Sequence, residues 1–142
     1  MPKGPSRRVR EMLMTAARRA AGNAHSPCSG IRVGAAVLTG HERVFVGCNV
    51  ENASLGLTTC AERVAIQSAV AAGEKELVAV AVFSPEIEGI TPCGACRQVM
   101  AEFRAPAPPG LLVLVQGKRG TEAIPLSKLL PRAFTGSKGG GG

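Results

Sequence analysis

Two short cysteine-containing segments constrain the fold of this chain more than any other feature. The first reads TCAER over residues 59–63, and the second reads PCGACR over residues 92–97. Each lies at the start of a predicted helix, where unpaired backbone N–H groups and the helix dipole favour a thiolate over a thiol. The thiolate is the form of cysteine that binds zinc. We therefore expect the fold to bring the starts of these two helices together.

Three cysteines in these segments form a candidate metal site. Cys93 and Cys96 are three residues apart, so they lie on one face of a helical turn and can share an ion. Cys60 must then come from the other helix. A structural zinc site normally has four protein ligands, whereas a catalytic site has three and keeps one position for water. We predict an open site that holds one zinc ion per subunit through Cys60, Cys93 and Cys96.

A purely structural zinc site, closed by a fourth ligand from elsewhere in the chain, is the alternative. The candidates for that ligand are Cys28, Cys48, His25 and His41. Glu62 argues against this alternative. It lies two residues after Cys60, where a carboxylate can stand beside the ion without binding it, and a structural site has no use for such a group. Glu62 is therefore the predicted catalytic acid–base.

The pattern of apolar residues predicts an α/β fold with a mixed sheet. A first helix should begin after the cap residue Ser6 and end at Gly22, with its apolar stripe formed by Val9, Met12, Leu13, Ala16, Ala17 and Ala20. Strands are predicted at 33–39, 43–50, 77–83 and 111–115, and helices at 60–72, 93–103 and 126–130. The turn Gly40-His41-Glu42 should join the first two strands as a hairpin. A helical crossover between later strands should make them parallel.

Length and composition predict a single domain. The chain has 142 residues, and we assign residues 1–135 to one catalytic domain and the Gly-rich residues 136–142 to a disordered tail. No apolar run approaches the roughly 18 residues that cross a bilayer, and the five cysteines, an odd number, favour free thiols over disulfides. We therefore expect a cytoplasmic protein that does not bind membranes.

The basic balance of the chain does not predict nucleic-acid binding. The formal net charge is +7, but only the amino-terminal stretch is dense in Lys and Arg, and we interpret it as a solvated face. The chain has no Trp or Tyr and only four Phe, too few for a surface that stacks single-stranded bases. A deaminase that edits polynucleotides is a minor alternative for this reason.

The cysteine segments resemble the zinc-dependent cytidine deaminases, in which a Cys-Ala-Glu segment is followed by Pro-Cys-x-x-Cys. The likeness to the small homotetrameric members also includes VGAA at 33–36, GCNVENAS at 47–54, PCGACRQV at 92–99 and LLP at 129–131, and it spans most of residues 8–134. It implies a three-layer α/β/α sandwich with a mixed five-stranded sheet. The implied reaction is the hydrolytic deamination of cytidine and deoxycytidine in pyrimidine salvage, with a zinc-activated water attacking C4 and Glu62 moving the protons.

The resemblance also implies residues that bind the substrate. Asn49 and Glu51 resemble the pair that binds the ribose hydroxyl, and Ala61 and Phe134 match positions that contact the nucleoside. Phe134 would reach the base in a neighbouring subunit, so a homotetramer would share its active sites. Because three thiolates make a zinc site net negative, we also predict that Arg63 and Arg97 hydrogen-bond the thiolates and withdraw charge from them. The alternative for either arginine is a position on a solvated face of its helix.

The chain departs from the family at three positions near the predicted pocket. Ile31 replaces a Phe that packs on the pyrimidine, Leu55 replaces an aromatic near a subunit contact, and Cys28 replaces a Tyr. These changes leave open a deaminase of a modified cytidine or of a cytosine-nucleoside antibiotic. A zinc-stabilised binding module without catalysis is a further alternative, from a different class of function.

Overall fold

The computed structural model describes residues 4–136, so most of the predicted disordered tail lies outside the described residues. Five strands form one sheet: β1 (Gly34–Thr39), β2 (Val44–Cys48), β3 (Leu77–Phe83), β4 (Leu112–Gly117) and β5 (Gly120–Pro125). Their order is β2-β1-β3-β4-β5. The β3–β4 pair is parallel and the other neighbours are antiparallel. The predicted mixed sheet is therefore confirmed.

Helices cover both faces of the sheet. They are α1 (Arg7–Ala21), α2 (Ala61–Ala71), α3 (Gly94–Phe103) and the short α4 (Leu126–Leu129). Because side chains alternate across a strand, Ala36 and Ala81 pack with α1, whereas Val37 and Val80 pack with α2 and α3. The result is the three-layer α/β/α arrangement that the resemblance implies. Among residues 4–136, no helix has the length and apolar character that a membrane span needs.

The first helix begins and ends as predicted. The Ser6 hydroxyl accepts a hydrogen bond from the backbone N–H of Val9 at 3.2 Å, which caps the free amides of the first turn. The buried stripe differs from the predicted one, because Met14 is buried and Met12 is 44% exposed. Met12 and Met14 are two positions apart and point about 200° apart around the helix, and the alanine-rich spacing did not determine which of them faces the sheet.

Two strands differ from the prediction. β5 was missed, since it is short, half-buried and ends in a proline. β2 ends at Cys48 and not at Val50, because the chain leaves β1 there: Val50 forms isolated bridges with His25 and with Thr59. The hairpin turn between β1 and β2 is confirmed, with Glu42 in the left-handed region at φ 62°.

The sheet topology places the starts of α2 and α3 at the same edge. β2 and β3 are both antiparallel to β1, so they run in the same direction, and each is followed by one of these helices. Gly47 lets α2 approach closely: a Cβ at this position would lie 2.6 Å from the Ala61 carbonyl oxygen. The two cysteine segments thus meet because they follow the carboxyl ends of strands that share a direction.

Candidate active site

The three predicted ligand cysteines lie together at the starts of α2 and α3. Cys60 is the N-cap residue of α2, Cys93 is the N-cap residue of α3, and Cys96 lies in the first turn of α3. Their Sγ atoms all lie within 4.8 Å of one another, and 4.0 Å separates those of Cys60 and Cys93. Cys96 is buried, Cys60 is half-buried and Cys93 is exposed. The cluster therefore opens to solvent on the side of Cys93.

The donor set fits a zinc ion. Zinc–sulfur bonds of about 2.3 Å in tetrahedral geometry place sulfur atoms about 3.8 Å apart, close to the spacing seen here. Within residues 4–136, no other histidine, cysteine or acidic residue joins this group. His41, one of the candidate fourth ligands, lies in the β1–β2 hairpin instead. Its Nδ1 is 3.0 Å from the Glu74 carboxylate. Three protein donors on an open side are typical of a catalytic zinc site and not of a structural one.

The positively charged guanidinium group of Arg63 lies next to the thiols. Its Nη2 lies 3.4 Å from Cys60 Sγ. Without metal, the pKa of Cys60 is lowered to about 5, first because the Cys96 thiol hydrogen-bonds it and then because Arg63 does. The same hydrogen bond raises the pKa of Cys96. One thiolate is thus favoured at Cys60 even before an ion is bound, and Arg63 lies where it can offset negative charge.

Arg97 does not make the contact that was predicted for it. Its Nε donates to the Pro92 carbonyl oxygen at 2.7 Å and its Nη1 donates to the Leu129 carbonyl oxygen at 2.8 Å. Its Nη2 lies 3.4 Å from the Thr91 hydroxyl. Arg97 therefore ties the segment before Cys93 to α4. The predicted hydrogen bond to the thiolates is not formed, because the Pro92 and Leu129 carbonyl oxygens and the Thr91 hydroxyl engage the three guanidinium nitrogens.

Glu62 is a buried carboxyl group in the first turn of α2. The residue is 4% exposed, and burial raises its pKa from the usual 4.5 to about 7, with the negative charge of Cys60 adding to the effect. A group with a pKa near neutrality can both accept and donate a proton at the pH of a cell. Ala61 has no exposed surface in this structure and packs in the core behind the thiols.

Asn49 and Glu51 hold the loop of residues 25–33, which we name the rim loop. The side chain of Asn49 is buried; its Nδ2 donates to the Ile31 carbonyl oxygen and its Oδ1 accepts from the Val33 N–H, both at 2.8 Å. Glu51 Oε1 accepts from the Cys28 N–H at 2.8 Å, and its Oε2 accepts from the Ser29 hydroxyl. The Ser29 hydrogen bond lowers the pKa of Glu51. Sequence reasoning missed this bracing role.

Isolated β-bridges connect the rim loop to the segment that precedes Cys60. His25 bridges Val50, and Val50 bridges Thr59, the residue before Cys60. The rim loop is thus two segments away from the first ligand, and it carries the two departures Cys28 and Ile31. No short-range signal in the sequence predicts this stacking, because its segments are about 10 to 25 residues apart.

The carboxy-terminal segment and the turn after Asn52 are exposed. Phe134 is 77% exposed, and its carbonyl oxygen accepts a hydrogen bond of 2.8 Å from Gln98 Nε2. Leu55 and Leu57, in a 3₁₀ turn, are exposed as well. The structure therefore gathers Cys60, Cys93, Cys96, Glu62 and Arg63 at one point and leaves Phe134 on the surface of this single chain.

Comparison with known proteins identifies the class of this site. Residues 7–108 match the model of the cytidine and deoxycytidylate deaminase zinc-binding region. The chain is 44% identical over 127 residues to a cytidine deaminase of Halalkalibacterium halodurans, covering 89% of this chain and 94% of that relative. It is 39% identical over 125 residues to a cytidine deaminase of Sporosarcina psychrophila, covering 88% and 90%.

A solved structure agrees with the sequence relatives. The cytidine deaminase of Burkholderia pseudomallei superposes with a TM-score of 0.78 at 42% identity, covering 92% of this chain and all of that one. The chain belongs to the cytidine deaminase family. Its zinc-binding region and its Cys60, Cys93 and Cys96 group fit one zinc ion per subunit.

Proposed function

We propose that this protein is a zinc-dependent hydrolase that converts cytidine and deoxycytidine to uridine and deoxyuridine with release of ammonia. The observation that carries the proposal is the group of three thiols, open to solvent at Cys93, with the buried carboxyl of Glu62 two residues from Cys60. A binding module without catalysis would not need a buried acid with a pKa near 7 at this point. The relatives named cytidine deaminase support the choice of substrate.

The residues of the chain have distinct roles in this reaction. Cys60, Cys93 and Cys96 hold the zinc ion, which when bound supplies a Lewis acid that makes water reactive near neutral pH. The Glu62 carboxylate accepts a proton from the attacking water and gives it to N3 of the pyrimidine. It then carries the second water proton to the amino group at C4, which leaves as ammonia. Water and cytidine are consumed, and uridine and ammonia are formed.

Other residues set the surroundings of the reaction. Arg63 offsets the negative charge of the thiolates through its contact with Cys60. Ala61 and the polar pair Asn49 and Glu51 line the nucleoside site in this proposal. Asn49 and Glu51 already hold the rim loop, so each would contact the ribose with the hydrogen-bonding capacity that this bracing leaves free.

The test is turnover by the zinc-loaded protein. Cytidine, deoxycytidine and free cytosine are supplied separately, and the loss of ultraviolet absorbance is followed together with ammonia release. The E62Q variant should keep its zinc and lose at least about a thousandfold in kcat, since it keeps the shape of the side chain and removes the proton carrier. E122Q, at the exposed position of the half-buried strand β5, is the matched control and should stay active.

Two outcomes would overturn the proposal. Turnover of neither nucleoside by zinc-loaded protein would remove cytidine and deoxycytidine as substrates, and a screen of modified cytidines would then test the alternative that Ile31 and Leu55 suggest. Full activity of E62Q would refute the role of Glu62.

We also propose that residues 1–135 form one catalytic domain and that the enzyme is a homotetramer with shared active sites. The exposed Phe134, Leu55 and Leu57 support a subunit contact, because large apolar side chains on the surface often mark an interface. Light scattering measures the mass of the assembly in solution and thereby tests the homotetramer. Mixing F134A subunits with inactive E62Q subunits should raise the activity if Phe134 serves a neighbouring site, and no rise would contradict this.

The proposed setting is pyrimidine salvage in the cytoplasm. The five cysteines in the structure are free, which suits a reducing compartment. Fractionation of cells that express the tagged chain would test the location.

A further inference from the structure

An ion pair joins the rim loop to the loop that leads into Cys93. Arg32 lies in the rim loop, and Glu86 lies in the connecting loop of residues 84–92. Arg32 Nη2 is 2.7 Å and Nε is 3.2 Å from Glu86 Oε2, while the backbone N–H of Arg32 donates to Oε1 at 2.7 Å. One carboxylate thus binds both the guanidinium and the backbone of Arg32. This geometry is more specific than that of an ordinary surface ion pair.

The connecting loop holds Glu86 in place for this contact. Ser84 is buried, and its hydroxyl accepts hydrogen bonds from the N–H groups of Glu86 and Ile87 at 3.2 and 3.3 Å. These bonds form a turn directly after β3, where Phe83 pairs with Gly34 of β1. Arg32 and Glu86 therefore extend the pairing of β1 and β3 beyond the last residues of the ladder.

The pair connects the rim loop with the segment that leads to a metal ligand. On one side, Arg32 lies between Ile31 and Val33, whose backbone groups are held by Asn49. On the other side, the connecting loop ends at the ligand Cys93. Asn49 and Glu51 hold the rim loop to the segment that follows β2, and Glu86 holds it to the segment that follows β3.

We propose that Arg32 and Glu86 are positioning residues that hold the rim loop against the connecting loop and thereby set the affinity for the nucleoside. The inference rests on the proposed function, in which Asn49 and Glu51, the residues that brace the rim loop, line the nucleoside site. The side chains are 49% and 31% exposed, so water weakens the pair and its loss should change the global stability little. Neither residue touches the thiols or Glu62 in this structure. The effect should therefore fall on KM and not on kcat.

The kinetic test compares E86A and R32M with E88A, a matched control at an exposed glutamate of the same loop. E86A should raise KM for cytidine about fivefold, with kcat changed less than about twofold and zinc content unchanged. R32M should have a smaller effect, because it keeps the backbone N–H bond to Glu86. The R32M/E86A double variant should match E86A alone, since both changes remove parts of one interaction.

Hydrogen exchange provides a readout that needs no substrate. In E86A, the amides of residues 28–33 should exchange faster than in wild type, while those of α2 should not change. Restoration of KM by E86D, which keeps a carboxylate, would support positioning; the S84A variant should show the same pattern as E86A to a smaller extent.

The proposal is overturned if E86A and E88A have the same KM and the same rate of hydrogen exchange in the rim loop. It is also overturned if E86A lowers kcat without changing KM. If wild-type protein does not turn over cytidine, the proposed function fails first. Hydrogen exchange of the rim loop in E86A still distinguishes failure of the proposed function from failure of the positioning role. Faster exchange shows that Glu86 holds the loop, whatever the substrate is.

Discussion

The thiols and Glu62 lie on the first turns of two helices, whereas residues 26–33 of the rim loop belong to no helix or strand. The helix starts are anchored in the core: Ala61, Ala65 and Cys96 are fully buried against the sheet. The rim loop is anchored by the polar side chains of Asn49 and Glu51 and by the ion pair of Arg32 with Glu86. The two regions depend on different forces, and in the proposed function both border the active site.

In the proposed function, this difference separates the chemistry of the reaction from the recognition of the substrate. Metal geometry needs thiols placed within fractions of an ångström, and buried backbone elements provide that accuracy. A loop that is held by side chains can change its residues and shape while the metal site stays the same. The departures Cys28 and Ile31 both fall in the rim loop, and none falls among the residues of the metal cluster. Changes in the metal cluster should therefore abolish the reaction, and changes in the rim loop should adjust binding.

The largest effect is expected from C96S. Replacing a buried thiolate ligand by a hydroxyl should release zinc and reduce turnover to background, because two remaining thiols hold the ion too weakly. Metal analysis and the cytidine assay measure both changes. C28S, at an exposed thiol of the rim loop, should keep its zinc; a fully zinc-loaded C96S would contradict the ligand assignment.

The next effect concerns the stability of metal-free protein. The folded pKa of Glu62 is raised from 4.5 to about 7, so its contribution to stability is full below pH 4.5 and is lost as the pH rises through 7. Between pH 4 and pH 8, the free energy of unfolding of the wild type should fall by roughly 3 kcal/mol relative to E62Q, which has no charge to desolvate. Urea unfolding with a chelator measures the difference. If the free energies of unfolding of wild type and E62Q change with pH in parallel, burial does not raise the pKa of Glu62.

A smaller effect is expected for N49A in the rim region. The change removes two hydrogen bonds and leaves backbone groups of Ile31 and Val33 without their partner, at a cost of roughly 1–3 kcal/mol in the free energy of unfolding. KM should rise as the loop loosens. N52A is the matched control, because Asn52 Oδ1 accepts only the exposed N–H of Ser54. Equal stability of the two variants would show that the brace contributes nothing.

The smallest effect is expected for I31F. A ring at this half-buried position could stack on a pyrimidine, which is worth about 0.5–1.5 kcal/mol, so KM for cytidine should fall by about two- to tenfold. Zinc content and kcat should not change, which distinguishes this variant from those of the metal cluster. An unchanged KM would mean that residue 31 does not contact the base.

Local signals were sufficient for most of the helices and strands and for the cysteine cluster. The Ser6 cap, the ends of α1 and the continuous apolar run of β3 were predicted from residues close in sequence. The cysteines at the starts of two predicted helices were expected to meet, and the shared direction of β2 and β3 brings them together. The strand β5 escaped prediction because its short half-polar sequence owes its conformation to pairing with β4.

The amino-acid sequence by itself determined the metal chemistry, because three thiols and one carboxylate at set spacings on helix starts have few other uses. Only the tertiary structure decided which polar residues hold the rim loop and where Arg97 donates its hydrogen bonds. The physical reason is the distance along the chain over which each interaction acts. Helix caps and apolar periodicity act over a few residues, whereas the contact of Arg32 with Glu86 joins positions 54 residues apart and exists only once β1 and β3 have paired.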